Sequence, residues 1–98
     1  MSTPVIYRRL ARAEFDDAVD WYEQQQAGLG DRFADAVHGV IARISANPNL
    51  HRVVHKDIRR AIVRGWPYVI YYRIEPNQVV VTSVFHSKRN PKVWQSRK

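Results

Sequence analysis

The sequence has no cysteine among its 98 residues, and this absence removes several kinds of chemistry. The chain cannot form a disulfide, use a thiolate nucleophile or build a cysteine zinc site. No apolar run approaches the roughly 18 residues that a membrane-spanning helix needs. The first ten residues contain arginines but no apolar core segment, so no signal peptide is expected and a cytoplasmic location is predicted.

Acidic residues are scarce in the second half of the chain. Residues 50–98 hold eleven basic and two acidic groups (+9), residues 1–49 hold five and seven (−2), and the sum is the net charge of +7. A negatively charged partner is therefore expected to meet the C-terminal half. Nucleic acid, an acidic protein segment and a phosphate-bearing ligand all satisfy this condition.

The overall composition is that of an ordinary globular protein. Apolar residues make up 45% and charged residues 26%, which argues against disorder. We find no internal repeat, low-complexity segment or long linker. A single domain over residues 1–98 is therefore expected.

The first half of the chain has the period of a helix. Phe15, Ala18, Val19 and Tyr22 follow the spacing i, i+3, i+4, i+7, which predicts a helix from about Arg12 to Gln26. Four of its acidic side chains are expected to face solvent, and they are Glu14, Asp16, Asp17 and Asp20.

A second helix is predicted after a glycine stop. Gly28 and Gly30 end the first helix, Asp31 can cap the second, and Pro48 ends it. Two helices joined by so few residues are expected to form an antiparallel hairpin.

Beyond Pro48 the period changes to two. Strands are predicted at Ile58 to Arg64, Tyr68 to Ile74 and Val79 to Phe85, with a possible edge strand at His51 to His55 and a short one at Val5 to Tyr7. The expected fold is α+β, with the helical hairpin on one face of a three- to four-stranded antiparallel sheet. Trp94 in the C-terminal tail is expected to dock on this body.

Basic and aromatic side chains alternate with aliphatic ones along the predicted strands. Alternate side chains of a strand point to opposite faces, so one face is expected to display several of these groups. The candidates are Arg59 or Arg60, Arg64, Tyr72 or Arg73, and His86. Such a surface suits single-stranded nucleic acid or an acidic peptide, and a solvated sheet face remains an equal alternative.

The histidines have ordinary explanations as well as chemical ones. His86 ends the last strand among basic residues and can act as a general acid or base, or simply hydrogen-bond a turn. His51 and His55 lie four apart, but no third ligand is placed by spacing, so no metal site is predicted. No cofactor is expected.

Taken together, these residues resemble the RelE/ParE superfamily of bacterial type II toxin–antitoxin toxins, and most closely its ParE branch. The likeness runs from about Tyr7 to Trp94. Its most specific parts are Arg59-Arg60, Tyr71-Tyr72-Arg73 and the ending His86-Ser87-Lys88-Arg89.

The resemblance implies a toxin that arrests growth and is neutralised by a cognate antitoxin, in a hetero-oligomer. An acidic, partly disordered antitoxin segment suits the basic half of this chain. The residues expected to bind antitoxin or target are Arg59, Arg60, Arg64, Tyr72, Arg73, His86, Lys88, Arg89 and Trp94.

The family divides on its target, and both alternatives stay open here. ParE-like members bind DNA gyrase, which is the favoured reading. RelE-like members cleave mRNA on the ribosome, and in that reading His86, Arg59, Arg64, Arg89 and Lys56 would be the catalytic residues. The C-terminal tyrosine of RelE-type sites is absent, because no tyrosine follows Tyr72. A basic binding module without toxicity is the third alternative.

Overall fold

The computed structural model describes residues 2–98. In chain order the elements are β1 (Val5–Tyr7), α1 (Arg9–Gln25), α2 (Leu29–Ala46), a 3₁₀ turn (Pro48–Leu50), β2 (Val53–His55), β3 (Ile58–Val63), β4 (Tyr68–Glu75), β5 (Gln78–His86) and α3 (Lys92–Gln95). The predicted α+β fold with its helical hairpin and short N-terminal strand is confirmed.

The sheet has five strands, slightly more than predicted, in the order β1-β5-β4-β3-β2. Strands β2 to β5 are antiparallel neighbours, and β1 pairs with β5 in parallel, so the sheet is mixed. β1 reaches only the first half of β5. The second half of β5 therefore has an edge that other groups must cover.

The turn between the helices depends on glycine and on one carboxylate. Gly28 has a φ of 87°, in the left-handed region that glycine tolerates best. The Glu23 carboxylate accepts the main-chain N–H groups of Gly28 at 2.9 Å and Gly30 at 3.0 Å. Asp31, predicted as the cap of α2, instead lies within its first turn. α1 begins at Arg9, three residues before the predicted start.

Two apolar cores lie on opposite faces of the sheet. The larger is formed by the helical hairpin and includes Phe33, Ile70 and Tyr72. The smaller is covered by α3 and includes Tyr71 and Trp94. Trp94 docks on the sheet as predicted, with its ring stacked 3.8 Å from that of Tyr71.

Candidate functional site

The sheet register separates the two adjacent arginines of β3. Arg59 lies opposite Tyr72, and Arg60 lies opposite Tyr71. Because paired residues share a face, Arg59 belongs to the helix side of the sheet and Arg60 to the α3 side. Only one of the two adjacent arginines can therefore lie on a given face, as the alternation along a strand predicts.

Arg59 is bound to the protein's own main chain. Its Nη1 donates to the carbonyl oxygen of His51 at 2.6 Å and of Asn49 at 3.3 Å. Tyr72, which is fully buried, donates its hydroxyl proton to the Pro48 carbonyl at 2.7 Å. Both side chains fasten the 3₁₀ turn to the sheet.

The electrostatics of this network favour neutral groups beside Arg59. The pKa of His51 is lowered mainly by burial, and also by the positive charges of Arg43 and Arg59. Burial raises the pKa of Tyr72, and the nearby Arg59 charge partly opposes this rise. At neutral pH Tyr72 therefore keeps the proton that it donates, and His51 is uncharged.

Two further predicted binding residues have partners within the chain. Arg73 donates from Nη2 to Glu75 Oε2 at 2.7 Å, and its side chain is one quarter exposed. Trp94 is 5% exposed, so its ring packs in the smaller core.

Glu14 is the most highly connected carboxylate of the site. Its oxygens accept the Val84 main-chain N–H at 3.1 Å, Arg89 Nη1 at 2.7 Å and Arg97 Nη1 at 2.6 Å. The side chain is 14% exposed, and Val84 lies on the part of β5 that β1 leaves uncovered. Glu14 therefore joins α1, β5 and the C-terminal segment.

The prediction that Glu14 faces solvent is wrong, since its side chain is 14% exposed. Ala11, Glu14, Phe15 and Ala18 follow the helical spacing i, i+3, i+4, i+7, and the other three are buried. An acid in such a stripe indicates that a basic side chain or a free N–H approaches it. That signal was present in the sequence.

His86 lies in a small cleft beside Glu14. The cleft has a volume of about 260 Å³, and Tyr68, Trp21 and Arg89 also line it. His86 Nδ1 accepts the Lys88 main-chain N–H at 3.1 Å, and the ring packs edge-on against Tyr68 at 5.2 Å. Burial raises the pKa of Tyr68, which keeps its hydroxyl protonated at neutral pH.

The five residues of the nuclease hypothesis are spread over the molecule. His86 and Arg89 share the small cleft, whereas Arg64 lines another cleft beside α2. Arg59 and His86 pair with Tyr72 and Tyr68, which lie four residues apart on β4. That offset is about 13 Å along the strand, and two strand spacings add to it.

Lys56, the fifth candidate, lies in the turn between β2 and β3 with a φ of 51°. Lys88 and Arg60 are exposed and make no ion pair among residues 2–98.

Within the same residues no cluster of three or more His, Asp or Glu has the arrangement of a metal site. None of the helices described is both long and apolar enough to cross a bilayer.

The fold has a counterpart among solved structures. A solved structure described as "Chromosomal ParDE TA system from P. aeruginosa" matches with a TM-score of 0.67 at 16% identity, over 89% of this chain and 98% of that one. At this identity the likeness shows the fold.

A comparison with family models defines the family more closely. The model described as "ParE toxin of type II toxin-antitoxin system, parDE" matches residues 5–91. The chain therefore belongs to the ParE toxin family, which confirms the resemblance seen in the sequence. Among curated protein sequences, none matches the chain significantly.

Proposed function

We propose that this chain is a growth-arresting toxin that acts by binding DNA gyrase, and that a cognate antitoxin neutralises it. This action would take place in the bacterial cytoplasm, where gyrase works. Membership of the ParE family supports the class of target. The proposal favours target binding over mRNA cleavage because the five candidate catalytic side chains are spread over the molecule.

RNA cleavage needs a base and charge-stabilising groups within hydrogen-bond reach of one phosphate. The Arg59 guanidinium instead donates hydrogen bonds to main-chain carbonyls, including that of His51 at 2.6 Å. Arg89 is paired with Glu14 at 2.7 Å. Moving either arginine to a substrate would break contacts that hold the fold together.

The antitoxin is proposed to contact the exposed surface of β3. Arg60 is exposed on the α3 side of the sheet, and Ile62, two residues further along β3, is 53% exposed. Arg64 follows the strand, is exposed, and lines the cleft beside α2. An exposed apolar side chain between two exposed arginines in the sequence suits a segment that carries both carboxylates and apolar residues. Such a segment would order on binding, with electrostatic attraction speeding the encounter.

Target and mechanism are tested together by inducing the toxin without antitoxin. The proposal expects plasmids to lose negative supercoiling while transcripts stay intact, both for the wild type and for His86→Ala. Transcripts cleaved in phase with codons, together with loss of toxicity in His86→Ala, would establish the RelE-like alternative instead. Normal growth despite verified folded protein would show a binding module without toxicity.

The antitoxin surface is tested with paired charge variants. Arg60→Gln/Arg64→Gln is expected to weaken antitoxin binding and flatten its salt dependence. Arg12→Gln/Arg32→Gln removes the same charge from the helical hairpin and serves as the matched control. Equal binding by both double variants would contradict the proposed surface, and weaker binding by Arg12→Gln/Arg32→Gln alone would favour docking on the hairpin.

A further inference from the structure

A second basic region lies between the start of α1 and the C-terminal segment. It contains a cleft of about 560 Å³ whose lining includes Arg8, Arg9, Arg97 and Lys98 and, among residues 2–98, no Asp or Glu side chain. A smaller cleft of about 220 Å³ adjoins it and shares residues 96–98. We call the two together the cationic cleft. Neither part includes His86 or β3 residues Arg59 to Val63.

The positive charge of the cationic cleft is only partly neutralised. Arg97 is paired with Glu14 at 2.6 Å, and Arg8 lies 3.9 Å from Glu75. Arg9 and Lys98 are exposed and have no carboxylate within ion-pair distance among residues 2–98. The smaller part adds Lys56, the carboxylate of Asp57, and Arg73, which is paired with Glu75 at 2.7 Å.

We propose that the cationic cleft binds the sugar–phosphate backbone of duplex DNA without reading its sequence. Adjoining clefts that share basic residues suit a chain of phosphates better than a single anion. Backbone phosphates account for most non-specific affinity for DNA, and they are bound by arginines and lysines of this kind.

The lining favours a duplex over single strands and DNA over RNA. Single-stranded nucleic acid is held by stacking on exposed aromatic rings. Among the described lining residues, the only ring is that of His55, which packs edge-on against Trp94 at 5.8 Å. In the larger part, the Thr82 and Ser96 hydroxyls donate to the carbonyls of Tyr71 and Val93, so neither is free to donate to an RNA 2′-hydroxyl, and Thr82 is fully buried.

An acidic peptide fits the cationic cleft less well. A segment that folds on binding must bury apolar surface to offset its loss of conformational entropy. Leu10 is the only large apolar side chain of the lining that is mostly exposed, at 56%. DNA needs no apolar surface, because release of its counterions drives association.

The test measures binding of the purified full chain to a fluorescent 20-base-pair duplex of mixed sequence, by anisotropy, from 50 to 200 mM salt. We expect a dissociation constant of about 1–100 μM at physiological salt, with a log–log salt slope of about −3 to −4 for four phosphate contacts. Arg9→Gln/Lys98→Gln should reduce the steepness by about 2 and weaken binding roughly tenfold at 100 mM salt.

The control Arg32→Gln/Arg52→Gln removes equal charge from exposed positions outside the cationic cleft and should keep the wild-type slope. Arg9→Lys/Lys98→Arg preserves the charge and should retain binding. Circular dichroism verifies folding of each variant. An equal loss in both glutamine pairs, no binding by the wild type, or tighter binding of single-stranded DNA or duplex RNA would overturn the proposal. The assay contains no gyrase, so its outcome is independent of the proposed target.

Discussion

Glu14 connects segments that are far apart in the sequence. Its carboxylate receives one main-chain N–H from β5 and two guanidiniums, from Arg89 and Arg97. Removing one member of a largely buried charged group is costly, because the remaining charges lose their counter-charge without regaining full hydration. The C-terminal segment is thus fastened to α1 through a single side chain.

Glu14→Gln keeps an oxygen for the Val84 N–H but removes the charge that both arginines need. We expect the free energy of unfolding in urea to fall by about 2–4 kcal/mol. Asp17 on the same helix is exposed and makes no ion pair among residues 2–98, so Asp17→Asn should change the free energy of unfolding by less than about 0.5 kcal/mol. Equal effects of the two variants would contradict the role given to Glu14.

Tyr71 and Tyr72 are adjacent but have different roles. The Tyr72 hydroxyl donates to Pro48 on the helix side, whereas that of Tyr71 has no hydrogen-bond partner among residues 2–98. Tyr72→Phe should therefore destabilise the protein by about 1–2 kcal/mol, and Tyr71→Phe by less than about 0.5 kcal/mol. Thermal or urea unfolding of the two variants checks this, and the reverse order would show that the register is wrong.

At the scale of elements, the helical hairpin depends on close contact between α1 and α2. A Cβ added at Gly30 would lie 2.7 Å from the Val19 carbonyl oxygen and 3.0 Å from Glu23 Cβ, so the helices would have to move apart. Gly39 in the same helix has open space, its nearest contact being Arg43 Nη1 at 3.9 Å.

These two glycines make a matched pair. Gly30→Ala is expected to lower the free energy of unfolding by about 1–3 kcal/mol through overpacking. Gly39→Ala is expected to raise it by about 0.5–1 kcal/mol, because alanine loses less conformational entropy in a helix. Chemical denaturation of both variants measures the difference, and stabilisation by Gly30→Ala would refute the close packing.

Most elements were predictable from periodicity, but the faces of the side chains were not. The spacing of Phe15, Ala18 and Tyr22 indicated α1, and β-forming runs indicated β3 to β5. The pairing of β4 with β5 shifts between Tyr71 and Tyr72, whose partners are Ser83 and Val81. Such a bulge changes which side chains of a strand share a face, and alternation alone cannot locate it.

Across the whole molecule, the distribution of basic residues along the sequence does not predict how they are grouped in the structure. The +9 of residues 50–98 led us to expect one basic surface on the sheet. The fold instead divides it, with Arg60 on the α3 side and Arg59 on the helix side. It also brings Arg8 and Arg9 beside Arg97 and Lys98. Only tertiary packing reveals that grouping.

The separation of the basic residues into different regions supports the proposal that the protein acts by binding its target and not by cleaving RNA. Separate basic regions can engage different anionic partners, such as an antitoxin at β3 and DNA at the cationic cleft. A phosphodiester-cleaving site would instead require its basic groups to converge on one phosphate. Arg59 and Lys56 do not share the cleft of His86.

The most direct measurement adds purified toxin to DNA gyrase with relaxed plasmid and ATP, and in parallel to ribosomes translating a defined mRNA. Our account predicts that supercoiling is inhibited in proportion to toxin, that His86→Ala inhibits equally well, and that the mRNA remains whole. Unimpeded supercoiling together with mRNA cleavage that His86→Ala abolishes would contradict it.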